Sequence, residues 1–173
     1  NSVLDNLINI PTSSNNKVMV TLHRREKHNE LHHWFERINL LAEENPQLSF
    51  VLPAHPNPNV QKHLHLLKAV TVVDPYGHEE FLTELASCRA IITDSGGIQE
   101  EAAFFKKPCI VCRDYTERTE GLGSLAFLCP SYKNLKKTFN ESINLNLSEI
   151  ECPYGDGKTS IKVAKILQNT FYL

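Results

Sequence analysis

Short apolar runs rich in β-branched residues alternate with segments of helical periodicity along the whole chain. The runs predict six strands, which lie at 17–22, 48–55, 70–74, 90–94, 109–112 and 124–129. The segments between and after them predict helices at 29–45, 59–69, 78–88, 96–107, 134–147 and 157–173. Strands that are short, uninterrupted and separated by helices indicate βαβ units and a parallel sheet with both faces covered. We therefore predict one doubly wound, Rossmann-like α/β domain over residues 1–173.

Length, composition and charge are those of one globular domain. The chain has 173 residues, of which 41% are apolar and 22% charged, and its formal net charge is −2. This balance offers no basic patch for nucleic acid. No apolar run approaches the ~18 residues of a membrane span, and no basic-plus-apolar leader is present. We therefore expect no nucleic-acid partner, no membrane segment and no export.

The cysteines indicate the cellular compartment of the protein, and the first residue indicates whether the sequence is part of a longer one. Five scattered cysteines favour reduced thiols in a cytoplasmic protein. Cys109 and Cys112 have Cys-x-x-Cys spacing, but residues i and i+3 of a strand point to opposite faces, which predicts buried structural thiols rather than a metal or redox site. Because the first residue is Asn rather than Met, we expect this chain to be a piece of a longer protein.

Polar loops follow five of the predicted strands at their carboxyl ends. In open α/β sheets, ligands bind in the crevice outside this edge, and parallel strands bring all such loops to one rim. The loops cover 23–26, 54–58, 74–81, 94–97 and 113–118. Their convergence predicts a ligand-binding rim more specifically than any one motif does.

The loop after the fourth strand predicts a phosphate seat. Ser95 is an N-cap candidate, with Gly96 and Gly97 as the first helical residues. A helix start offers unpaired N–H groups and about half a positive charge, and missing Cβ atoms let a diphosphate reach those amides. Glu101 lies roughly 7–9 Å further along the axis, where it could accept hydrogen bonds from a ribose. Alternatively, Glu100 and Glu101 merely favour the helix dipole and the glycines make a tight turn.

Two further loops carry histidine or arginine side chains at strand ends. His23, Arg24 and Arg25 end the first strand, where they can reach a phosphate and a guanidinium can hold it bidentately, although a solvated charged loop is the alternative. His55 lies between prolines that fix its loop, and such a histidine is by itself more often structural than a ligand. The first strand-to-helix turn lacks the G-x-G-x-x-G fingerprint, so we expect no nicotinamide cofactor, and we expect no metal.

Five motifs together closely resemble the non-hydrolysing UDP-N-acetylglucosamine 2-epimerases. They read VTLHRRE, PAHPNPNV, TDSGGIQEEA, KPCIVCRDYTERTEG and CPYGDG, in the family's order and spacing, from residue 20 to residue 157. The resemblance implies one half of a two-domain glycosyltransferase-B fold with the active site between the halves. It also implies interconversion of UDP-GlcNAc and UDP-ManNAc, for polysaccharide biosynthesis, by elimination and re-addition of UDP without a cofactor.

The resemblance assigns roles to individual residues, and this chain resembles the C-terminal half only. It implies that Ser95, Gly96 and Gly97 bind phosphate and that Glu101 binds the ribose. It further implies roles for Phe81 near uracil, Arg118 near the diphosphate and His23 beside the leaving phosphate. Arg24 and His55 match positions of an allosteric UDP-GlcNAc site in bacterial members. The proposed proton-transfer carboxylates lie in the N-terminal half, which is expected as a partner, with a possible homodimer in the full-length protein.

Some positions depart from the family pattern and three function classes remain open. Leu22, Tyr76 and Thr119 differ from the usual residues, and HRRE lacks the glycine that commonly follows it. These departures bear more on the allosteric position than on the UDP site. The chain is the UDP-binding half of an epimerase, the donor half of a glycosyltransferase, or a non-catalytic nucleotide-sugar-binding module. The motifs TERTEG and PYGDG argue against the glycosyltransferase.

Overall fold

The computed structural model describes residues 2–171 and contains one six-stranded, all-parallel sheet. All six predicted strands are present, each somewhat shorter than or equal to its apolar run. They are β1 (Lys17–Thr21), β2 (Ser49–Pro53), β3 (Thr71–Val73), β4 (Ala90–Thr93), β5 (Cys109–Val111) and β6 (Ala126–Leu128). The spatial order β3-β2-β1-β4-β5-β6 is that of a doubly wound Rossmann fold, so the predicted fold class is confirmed.

Helices follow or join these strands along the chain. They are α1 (Leu31–Glu44), α2 (Pro58–Gln61), α3 (His78–Ser87), α4 (Gly96–Phe104), α5 (Leu135–Ser142) and α6 (Thr159–Phe171). Short 3₁₀ segments lie at Ser2–Leu7, Arg25–Lys27, Leu64–Leu66 and Tyr132–Asn134. None of the helices within residues 2–171 is both long and apolar enough to cross a membrane.

Two predicted helices are shorter than their sequence pattern suggests. The prediction of a helix over 59–69 is wrong: after the single turn of α2, the amides of His63, Leu66 and Leu67 bond to carbonyls three residues back. This tighter winding accompanies burial of Leu67 and Val70 against the α1 side of the sheet. The helix predicted over 134–147 ends at Ser142, because Leu147 packs in a separate small cluster.

The two faces of the sheet bury separate apolar clusters. On β1, Val18 and Val20 lie in the cluster that contains α1 and α5, whereas Met19 lies in the cluster that contains α3 and α4. Trp34 is 1% exposed within the first cluster, as the periodicity of α1 predicted. Alternation along buried strands thus covers both faces, as a doubly wound sheet requires.

The reversal of strand order places the ends of β1 and β4 side by side. Thr21 pairs with Thr93 at the end of this register, and their hydroxyl oxygens are 2.7 Å apart. β1 continues the sheet toward β2 and β3, whereas β4 continues it toward β5 and β6. The crevice at such a switch point is where doubly wound folds bind ligands. The loops that begin at Leu22 and Asp94 therefore form the centre of the candidate site.

Candidate functional site

The start of α4 has the geometry that the sequence predicted for a phosphate seat. Ser95 adopts an extended conformation (φ −93°, ψ 129°), and its Oγ accepts a hydrogen bond from the amide of Ile98 at 3.5 Å. The Ser95 amide donates to Thr93 Oγ1 at 3.0 Å, which fixes the turn to the strand end. Ser95 is thus the N-cap, and Gly96 and Gly97 occupy the first turn, where amides have no intrahelical acceptor.

The two glycines serve different purposes. A Cβ at Gly96 would lie 3.0 Å from Glu117 Oε1 and 3.3 Å from the guanidinium carbon of Arg118. A Cβ at Gly97 would meet only Ser95 Oγ, at 3.9 Å, and Gly97 is exposed. The missing Cβ at Gly96 thus also makes room for the chain's own side chains. Nothing in the described chain requires a missing Cβ at Gly97.

Arg118 lies beside the first turn of α4 and is held from several sides. Its Nε donates to Glu100 Oε1 at 2.8 Å, and its Nη1 donates to Glu117. The Tyr154 hydroxyl donates to the Arg118 carbonyl at 3.2 Å. Glu100 and Tyr154 were missed in the sequence, because one was interpreted through the helix dipole and the other lies 36 residues away. The hydrogen bond to Glu100 raises the pKa of Arg118, which keeps the guanidinium charged.

Glu101 is a buried carboxylate that no other described residue satisfies. Its residue surface is 9% exposed, and within residues 2–171 no hydrogen bond or ion pair joins its carboxylate to another side chain. Burial, and then the nearby charge of Glu100, raises the pKa of Glu101 to about 7. Glu101 is the sixth residue of α4 and so lies beyond the first turn, where the helix dipole acts most strongly.

His23 is held at the switch point by Asp94 and His55. Asp94 directly follows β4 with its side chain 1% exposed, and its Oδ2 accepts from the amides of His23 at 2.9 Å and Arg24 at 2.8 Å. The imidazole of His23 stacks on that of His55, with ring centroids 4.8 Å apart and planes 2° from parallel. Burial, and then the neighbouring His23, lowers the pKa of His55. His55 therefore supports His23 directly, which the sequence did not predict.

A cleft of about 230 Å³ opens between these histidines and α4. Phe81, from the first turn of α3, lies in its wall together with His23 and His55. The apolar part of the wall is formed by Leu22, Pro53, Pro75, Tyr76, Phe81 and Ile98. Larger hollows of about 690 and 460 Å³ lie on the outer side of α1 and near the Lys107–Pro108 turn. Of these three hollows, only the cleft of about 230 Å³ has a lining residue from the first turn of α4, Ile98.

Most of the predicted site residues are thus brought to one rim. Ser95, Gly96, Gly97 and Arg118 surround the start of α4, and His23, His55 and Phe81 share the adjacent cleft. Arg24 follows His23 and points its Nη1 to 3.7 Å from Glu26 Oε1.

Neither the thiols nor the acidic and histidine side chains form a metal centre among the residues that the structure describes. Cys109 and Cys112 lie in different apolar clusters, as strand alternation predicted. Burial raises the pKa of both thiols well above the usual range, so neither is a ready thiolate ligand.

The fold and this rim define a class of protein: a Rossmann-like α/β domain with a capped, open helix start and an apolar cleft at the switch point. The chain also matches the model of the UDP-N-acetylglucosamine 2-epimerase family over residues 2–168. It therefore belongs to that family.

Individual relatives agree with this assignment. The chain is 37% identical over 168 residues to a UDP-N-acetylglucosamine 2-epimerase of Neisseria meningitidis serogroup A, a match that covers 88% of this chain and 44% of the relative. A crystal structure of UDP-GlcNAc 2-epimerase from Neisseria meningitidis bound to UDP-GlcNAc is 30% identical and superposes with a TM-score of 0.81, covering 98% of this chain and 54% of that one.

A third comparison concerns a complex with nucleotide. The structure of Methanocaldococcus jannaschii UDP-GlcNAc 2-epimerase in complex with UDP-GlcNAc and UDP is 27% identical, with a TM-score of 0.71, and covers 98% of this chain and 49% of that one. The chain thus spans about half the length of the relatives that it matches.

Proposed function

We propose that this chain is the UDP-binding half of a UDP-GlcNAc 2-epimerase that interconverts UDP-GlcNAc and UDP-ManNAc. One observation carries the proposal: the first turn of α4 is open above Gly97, at a switch point beside His23 and Arg118. Relatives with UDP-GlcNAc or UDP bound support this choice of ligand. The elimination and re-addition of UDP, without a cofactor, belongs to the same proposal.

The diphosphate would lie against the start of α4. The amides of Gly96 and Gly97 and the positive end of the helix attract an anion there. Arg118 adds a guanidinium whose partner Glu117 has a side chain 46% exposed, whereas its other partner, Glu100, is 12% exposed. A phosphate would replace the exposed Glu117, while Glu100 would keep the guanidinium in position.

The nucleoside would extend from this seat along the rim. Glu101 would accept hydrogen bonds from the ribose hydroxyls through its largely buried carboxylate. The apolar cleft walled by Phe81 would take the uracil. His23 would then lie on the phosphate side, where it can stabilise the departing UDP.

The chain alone would bind UDP but would not invert the sugar. Inversion at C2 needs a base that removes the proton and an acid that returns one on the opposite face. Glu101 is assigned to the ribose, and Asp94 is buried behind the histidine. We therefore place the proton-transfer carboxylates in a separate N-terminal domain of the full-length protein. We further propose that the full-length protein is cytoplasmic and homodimeric.

The exposed apolar surface of α6 favours the presence of a second domain in the full-length protein. Every residue of α6 from Ser160 to Thr170 is exposed, including Ile161, Val163, Ile166 and Leu167. Among the described residues, the start of the helix is tied to the rest of the chain: Asp5 accepts hydrogen bonds from the amides of Thr159 and Ser160, and Lys162 pairs with Asp156 at 3.0 Å. A helix with so much exposed apolar surface is more stable when another domain covers it.

Arg24 and His55 would form part of an allosteric site for a second nucleotide sugar. His55 stacks on His23, so a ligand that contacts His55 would also affect the ring beside the leaving phosphate. The rim would thus contain two adjoining sites for nucleotide sugars.

Titration calorimetry with UDP tests the proposed function. We expect wild type to bind UDP weakly, at about 0.1–1 mM or roughly −4 to −5.5 kcal/mol, because half of the cleft is supplied elsewhere. Gly97→Val should abolish the heat of binding without lowering the melting temperature, because its side chain would project into the space above the helix start. Equal affinities would remove this turn from the site.

Incubation with UDP-GlcNAc in D₂O tests the division of labour. We expect neither deuterium at C2 nor UDP-ManNAc by NMR. Turnover by this chain, free of contaminating enzyme, would show that the catalytic acids lie within these 173 residues.

A further inference from the structure

We propose that Asp94 is a positioning residue that sets the tautomer of His23, with the proton on Nδ1 and with Nε2 directed to the cleft. The inference deepens the proposed function, since it concerns how the histidine beside the phosphate seat is prepared. It rests on the side-chain geometry at the end of β4 and on the contacts of the neighbouring rings.

The carboxylate of Asp94 is buried, and only one of its two oxygens is satisfied. Oδ2 accepts the amides of His23 and Arg24, whereas Oδ1 has no hydrogen-bond partner among residues 2–171. Buried polar atoms without a partner are rare in folded proteins. The group that faces Oδ1 is Nδ1 of His23, at 3.6 Å.

The chemistry of the pair fixes which ring nitrogen carries the proton. An ionised carboxylate is an acceptor only, so an imidazole nitrogen that faces it favourably must be a donor. The separation of 3.6 Å is longer than a hydrogen bond, but catalytic hydrogen bonds without ligand are often long and tighten on binding. The parallel stack on His55 holds the plane of the His23 ring.

The other nearby histidines have partners of their own. His28 Nε2 lies 3.1 Å from the His23 carbonyl oxygen, to which it can only donate. His55 Nδ1 accepts from the amide of Asn57 at 3.1 Å. Neither ring therefore competes for Oδ1 of Asp94, and both carry their neutral-state proton on Nε2.

This arrangement suits a histidine beside a departing diphosphate. With a second proton taken from solvent water, the ring donates through both nitrogens: Nδ1–H faces the carboxylate of Asp94, and Nε2–H faces the cleft. Its Nε2–H then donates a hydrogen bond to a phosphate oxygen. The role of Asp94 is to orient and support His23, not to contact the substrate.

The tautomer is read directly from ¹H–¹⁵N correlation spectra of the imidazole rings. We expect the Nδ1–H tautomer for neutral His23 in wild type, and the Nε2–H tautomer for His28 and His55. In Asp94→Asn, the amide oxygen can still accept the two backbone N–H groups, and the NH₂ group turns toward Nδ1. His23 should therefore switch to the Nε2–H tautomer, while His28 and His55 stay unchanged. The His23→Gln spectrum assigns the ring signals.

Two results would overturn the proposal. The first is an Nε2–H tautomer of His23 in wild type, which would refute the proposal even if Asp94→Asn failed to fold. The second is an unchanged His23 tautomer in a folded Asp94→Asn variant. These spectra contain no UDP, so they fail or succeed independently of the proposed function. Absence of UDP binding to wild type would instead refute the function and leave the tautomer result standing.

Discussion

Replacing Glu101 by Gln should stabilise the fold while weakening UDP binding. The carboxylate is buried in the folded domain without a hydrogen-bond donor from residues 2–171, and burial raises its pKa from the ordinary 4.5 to about 7. One pKa unit corresponds to about 1.4 kcal/mol, so ionising Glu101 in the folded state costs on the order of 3 kcal/mol. A neutral amide of the same shape avoids that cost.

The sign of the pH dependence follows from the direction of the shift. Below about pH 4.5 the carboxyl is protonated in both the folded and the unfolded chain, so Glu101 has no effect on the free energy of unfolding. Between about pH 4.5 and 7 the unfolded chain releases the proton and the folded chain retains it, so stability falls as the pH rises. Above about pH 7 the carboxyl is ionised in both states, and the full loss of folding stability remains.

Urea unfolding of wild type and Glu101→Gln at both ends of this window measures the effect. We expect the variant to gain little at about pH 4.5 and on the order of 3 kcal/mol at about pH 8. Glu151→Gln is a matched control, because it makes the same change at an exposed side chain. A stability gain for Glu101→Gln that is the same at both pH values would refute the reasoning.

The effect on ligand binding should be opposite in direction. Charged hydrogen bonds contribute about 1.5–3 kcal/mol, so losing the carboxylate should weaken UDP by roughly 10- to 100-fold. If wild type binds UDP and its 2′,3′-dideoxy analogue equally well, the ribose role is wrong. A residue that destabilises the fold and improves binding is characteristic of a site rather than of a core.

The remaining predictions concern the glycine, the last helix and the thiols. Gly97→Ala, which adds one methyl group into open space, should weaken UDP less than Gly97→Val does, and equal affinities for the two variants would contradict the steric account. Asp5→Ala should speed hydrogen exchange of α6 amides next to Ser160, because it removes their cap, and unchanged exchange would contradict that contact. In the native protein Cys152 should react first with a thiol reagent, because the other four cysteines are buried. Mass mapping that finds another cysteine first would refute that order.

The sheet was predictable because each strand is a short apolar run buried on both faces. The N-cap at Ser95 could also be predicted from the local sequence, because a serine followed by two glycines at a strand end is typical of a helix start. The rim followed from topology alone, because parallel strands place their carboxyl ends together. These predictions needed no knowledge of distant contacts.

The features that the sequence did not reveal depend on contacts between distant residues. Asp94 caps the amides of His23 and Arg24, about 70 residues earlier, and nothing local marks that contact. Gly96 makes room for Arg118, which the helix sequence does not show. The tight winding after α2 likewise depends on packing against α1, so propensity alone predicted too long a helix.

Titration of the ¹⁵N-labelled chain with UDP, monitored by amide NMR shifts, tests whether the start of α4 binds the nucleotide. We expect saturable shifts at Ser95, Gly96 and Gly97, with smaller shifts at His23 and Phe81, and one dissociation constant of about 0.1–1 mM. Absence of any response at millimolar UDP, or a response centred on the hollow beside Pro108 instead, would contradict it.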